Sequence, residues 1–68
     1  MSTFYVEGVV IEILASYGLA HVRTSDGSIF GLTRQTTGIK FAELRQGQLV
    51  KLEVAAEFGR VVRAQFLR

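Results

Sequence analysis

The chain of 68 residues contains no cysteine, no proline and no tryptophan, and a single histidine. Without cysteine there can be no disulfide, no thiolate nucleophile and no cysteine-based zinc site. His21 alone does not build a metal centre. The carboxylates Glu7, Glu12, Asp26, Glu43, Glu53 and Glu57 are scattered singly along the chain and pair no nucleophile with a base. No glycine-rich phosphate loop opens a helix. These absences leave no catalytic residue, metal or cofactor to expect, and the chain is not read as an enzyme. No run approaches the ~20 apolar residues of a membrane helix. Met1-Ser2-Thr3-Phe4-Tyr5 has no basic start and Glu7 interrupts the apolar run early, so no signal peptide is expected and the location read from the sequence is cytoplasmic.

Charge of one sign is also scarce. Eight Lys and Arg face six Asp and Glu, for a net charge of +2. That is too sparse a field to hold duplex DNA by charge alone. What is abundant is apolar surface: 49% of residues are hydrophobic. In a domain of this size some of it stays exposed or meets a partner.

The clearest local signal runs from Tyr17 to Arg34. Two alternating runs, Leu19-Ala20-His21-Val22-Arg23 and Ile29-Phe30-Gly31-Leu32-Thr33, flank Asp26-Gly27, and an Asp-Gly pair supplies the positive φ of a tight hairpin. A two-stranded register about that turn places Leu19, His21 and Arg23 on one face with Phe30, Leu32 and Arg34, and turns Ala20, Val22, Ile29 and Gly31 the other way. Before the hairpin, the β-branched stretch from Phe4 to Leu14 reads as one long strand. Gly8 inside it marks a bulge or bend that lets the strand serve two sheets. After the hairpin, the alternation breaks over Gln35–Gly47. Ile39, Phe41 and Leu44 there anchor a cap with at most one or two helical turns between Thr36 and Gln46. A fourth strand, Gln48–Val54, alternates cleanly, and a fifth runs from Arg60 to Leu67 with Val62, Ala64 and Phe66 inward. The expected core is Val10, Val22, Ile29, Val50, Leu52, Val54 and Val62.

Five short strands with too few residues for two stacked sheets predict one domain over residues 1–68, an all-β, small five-stranded antiparallel barrel, closed because a flat sheet this rich in Val and Ile would expose aggregating edges. The succession Gly8-Val9-Val10, Tyr17-Gly18-Leu19-Ala20-His21-Val22, Asp26-Gly27-Ser28-Ile29-Phe30 and Leu44-Arg45-Gln46-Gly47-Gln48-Leu49-Val50 resembles the bacterial cold-shock domain over nearly the whole chain. Its general spacing is also similar to translation initiation factor one, another OB-fold protein. The resemblance implies an OB-fold that binds single-stranded RNA or DNA through the face of its first three strands, where bases stack on aromatic rings. Of the family's ring positions, His21 and Phe30 keep a flat ring, and Glu12 stands at or next to the place of the usual tryptophan. The site this implies comprises Tyr17, Leu19, His21, Arg23, Phe30, Leu32, Arg34 and Arg60, with the rings against bases and the arginines along the phosphates. The competing reading keeps the barrel and trades base stacking for protein contact, with Leu19, Phe30 and Leu32 as the patch that meets a protein partner or a second copy.

Overall fold

A computed structural model describes residues 2–67 of the chain. Five strands follow one another: β1 (Thr3–Leu14), β2 (Leu19–Thr24), β3 (Ile29–Thr33), β4 (Leu49–Ala55) and β5 (Arg60–Phe66). Single 3-10 turns occupy Ala15–Tyr17 and Phe41–Glu43. The second lies inside the expected cap, and the first joins β1 to β2 and ends at Gly18 in the left-handed region. No helix among the described residues is long and apolar enough to cross a membrane.

The strands lie in the order β3-β2-β1-β4-β5, every neighbouring pair antiparallel. β1 makes this possible by serving two partners: its first part, Thr3–Val9, pairs with β4, and Gly8–Leu14 pairs with β2. At the crossover Gly8 faces Thr24 on one side and Val50 on the other. A side chain there would come within 2.6 Å of Val22 Cγ1 and 2.7 Å of the Arg23 carbonyl oxygen. The glycine therefore serves close strand approach. The bulge expected near it sits further along, at Ile11, between Val10 and Glu12. The terminal strands β3 and β5 curl toward each other, and Thr37 bridges the seam by pairing with Arg63 and accepting a 2.9 Å hydrogen bond from the Ala64 N–H. The result is a small five-stranded OB-type barrel.

Val10, Ala20, Val22, Leu32, Leu44, Val50, Leu52, Val54 and Ala64 form its core, with Val6, Ile13, Phe30, Ile39, Phe41, Val61 and Phe66 packed around them. The clean alternation of β4 is as expected: Val50, Leu52 and Val54 are buried. Two expected core residues are not. Ile29 is 49% exposed and Val62 43% exposed. Each correction comes from an inserted residue, one in a loop and one in a strand. In the β2–β3 hairpin the loop is three residues, Ser25-Asp26-Gly27, closed by Thr24 N–H to Ser28 O (2.9 Å) and Gly27 N–H to Thr24 O (3.0 Å), with Gly27 at φ 88°. Such a turn ending in a left-handed glycine adds one residue relative to a two-residue hairpin. It reverses which side chains of β3 face inward. In the β4–β5 pair the register slips between Glu53 and Val54, opposite Arg63 and Val61, so Val62 bulges out and Val61 stands opposite Val54. Val61 takes the inward place.

The segment Leu44-Arg45-Gln46-Gly47-Gln48 folds tightly against β1. Val10 N–H donates to Gln48 O (2.9 Å), Gly47 N–H to Val10 O (2.7 Å), and Gln46 Nε2 to the carbonyl of the bulged Ile11 (3.2 Å). Gln48 ties the cap down further, accepting from Arg45 N–H (2.6 Å) and donating to Glu43 O (3.3 Å). Gly47 takes φ 93°, which a side chain resists.

Candidate nucleic-acid interface

Cross-strand pairing defines what each face of the central hairpin presents. Ala20–Leu32 and Val22–Phe30 share the inner face; Leu19–Thr33, His21–Gly31 and Arg23–Ile29 share the outer one. Leu32 is 0% exposed, and Phe30 packs its half-buried ring against the core. Neither lies on the surface the sequence assigned to it. The patch of Leu19, Phe30 and Leu32 is therefore not formed, and no phenyl ring stands on the outer face of β2 or β3. The three-residue loop is the physical reason, since it flips β3 as a unit.

Of the remaining expected residues, His21 stays on the outer face, but its Nδ1 lies 2.9 Å from Glu12 Oε1 on β1. The imidazole and carboxylate thus partner each other. Leu19 is half-buried beside Gly31, and Arg23 is exposed between Val9 and Ile29 in the cross-strand row Leu49–Val9–Arg23–Ile29. Arg60 begins β5 and lines the β3–β5 seam with Gly31, Thr33 and Val62. Among the described residues no group of three His, Cys, Asp or Glu side chains is placed to hold a metal ion.

Tyr17 and Arg34 converge at one end of the barrel. Tyr17 is 80% exposed on the Ala15–Tyr17 turn. Arg34, just past β3, donates from Nη2 to the Ala15 carbonyl (2.7 Å) and lies over the Phe41 ring, 5.4 Å from its centroid. Gly18, at φ 63°, makes room, because any Cβ there would collide with the guanidinium. Beside this arginine a groove of about 690 Å³ is lined by Ala15, Arg34, Ile39, Lys40, Phe41, Ala42, Leu44 and Arg45. Its three charged side chains are all cations. Arg45 is held like Arg34, by backbone oxygens: its Nη1 donates to Ala42 O (3.0 Å) and Leu44 O (2.8 Å). The only carboxylate on the Phe41–Glu43 turn is Glu43, which does not line the groove.

Sequence reasoning placed Lys40, Phe41 and Arg45 in a cap without giving them a binding role. The signal was the spacing of basic residues around Phe41, and it acquires meaning only when the turn after β1 and the end of β3 are folded against the cap. Comparison with known proteins finds no family model, no curated protein and no solved structure that matches the chain.

Proposed function

We propose that the chain is a single-stranded nucleic-acid-binding OB module that grips its ligand mainly by phosphate, with little base stacking. The observation that carries this reading is the groove at the end of the barrel, where Arg34, Lys40 and Arg45 converge without a carboxylate in the lining. The fold supports it, since OB barrels bind oligonucleotides through the β2–β3 face and the β1–β2 and β4–β5 loops, and the first of these loops brings Ala15 into the groove. Tyr17, exposed on the same turn as the groove-lining Ala15, offers a ring, and a base stacked on an aromatic ring contributes about 1–3 kcal/mol. With Phe30 turned inward, affinity rests on charge and is tolerant of sequence. Fluorescence anisotropy of labelled RNA and DNA oligomers tests this: binding at low salt should weaken with a log–log slope of about −2, as expected for three phosphates on a single strand. Absence of binding at low salt overturns the reading.

One observation favours a second reading, a protein-interaction or self-associating module. Val9, Ile29 and Leu49 leave apolar side chains exposed in one cross-strand row on the outer sheet face. If that row is the working surface, Ile29→Ser changes sedimentation or partner capture and leaves oligonucleotide affinity untouched.

A further inference from the structure

Resting on the nucleic-acid reading, we propose that the groove is a seat for a terminal phosphate monoester, so that the barrel prefers strands that end in phosphate over strands that end in hydroxyl. Three features of the groove point to a strand end. The first is charge. A monoester carries about −1.5 to −2 at neutral pH, against −1 for an internal diester, and three cations lining one groove match the larger charge.

The second is the fixing of the donors. A solubilising arginine waves freely, whereas Arg34 is tied to the Ala15 carbonyl and backed by Phe41, and Arg45 is tied to the carbonyls of Ala42 and Leu44. Each guanidinium has five N–H donors, and the bonds just named occupy only part of them. The rest form pre-set forks of the kind that match the three free oxygens of a terminal phosphate; a diester offers two. Holding the forks in place beforehand lowers the ordering cost of binding.

The third is what borders the groove. Glu43 lies on the cap beside Phe41 and Ala42. Phosphates continuing past the groove on the cap side meet the Glu43 carboxylate. A chain that stops in the groove does not.

The test compares one short oligomer in three forms, bearing a 5′-phosphate, a 3′-phosphate or no terminal phosphate, by anisotropy competition at fixed low salt, with inorganic phosphate as a further competitor. One phosphorylated form should bind about tenfold tighter than the hydroxyl form, the size expected of one added charge-assisted contact. Which form does so identifies the end. Lys40→Ala should abolish the preference while leaving the cap in place, because among the described residues its ammonium makes no bond that holds the cap. Arg60→Ala, which removes the same charge outside the groove, should keep it. Equal affinity for all three forms overturns this inference and leaves the nucleic-acid reading standing. No binding of any form overturns both. A preference that survives Lys40→Ala and vanishes with Arg60→Ala also overturns it and moves the seat to the β3–β5 seam.

Discussion

Phe30 and Gly31 are neighbours with opposite duties, and substituting each separates folding from binding. Phe30 packs on the core beside Val22, so Phe30→Ala should lower the melting temperature, at a cost of roughly 3–5 kcal/mol if its ring were fully buried and less for a half-buried one. Oligonucleotide affinity per folded molecule should not change; a large loss of affinity with unchanged melting would restore Phe30 to the surface. Gly31 has no positive φ and is paired regularly with His21, and an added Cβ would meet only Leu19 Cδ1 at 3.6 Å. Gly31→Ala should therefore be neutral or mildly stabilising, by up to about 1 kcal/mol, in a denaturant titration. Leu52, fully buried at the centre of β4, is the contrasting case: Leu52→Ala should cost roughly 2–5 kcal/mol, and a melting point within a degree or two of wild type would contradict its place in the core.

At the scale of elements, the β2–β3 hairpin holds the lesson about what could be read beforehand. Strand positions, the cap and the inward side of β4 were legible, because clean alternation such as Val50-Lys51-Leu52-Glu53-Val54 has one solution when only one face is buried. The facing of β3 was not. An Asp-Gly pair fits loops of two or of three residues, and the parity of the loop decides whether Phe30 and Leu32 point in or Ile29 does. Val62 was misplaced for a related reason: a bulge adds a residue without leaving a mark in the pattern. The groove was hidden for another reason, since Arg34 and Arg45 meet only through the folding of the β1–β2 turn against the cap. The hairpin turn also carries a pH signature. Asp26 accepts from Thr24 Oγ1 and from the Ser28 N–H (3.0 Å), and these bonds hold its carboxyl below the ordinary value of 3.8. A depressed carboxyl contributes stability that is fully present above its unfolded value and is lost as pH falls through the folded one. Thermal melts should show this loss beginning near pH 4 and continuing below. Asp26→Asn should be less stable at neutral pH with a flatter acid limb; an identical acid limb would contradict the turn's hydrogen bonds.

For the whole molecule, the barrel separates its surfaces. On the β4 side the outer charges find partners nearby, with Thr3 Oγ1 donating to Glu53 Oε2 (3.0 Å), Arg63 Nε 3.8 Å from Glu53 Oε1 and Lys51 over the Tyr5 ring. On the hairpin side His21 Nδ1 and Glu12 Oε1 share a 2.9 Å hydrogen bond. Three cations, Arg34, Lys40 and Arg45, share the groove at the end of the barrel with no carboxylate in its lining, so a net charge of only +2 is compatible with phosphate binding there. The most direct test is a backbone amide NMR titration of the wild-type chain with a single-stranded oligomer at low salt. The largest shifts should fall on Ala15–Gly18, Arg34 and Lys40–Arg45 and should collapse as salt is raised. Shifts confined to Val9, Ile29 and Leu49, or no shifts at all, would contradict phosphate binding at the barrel end.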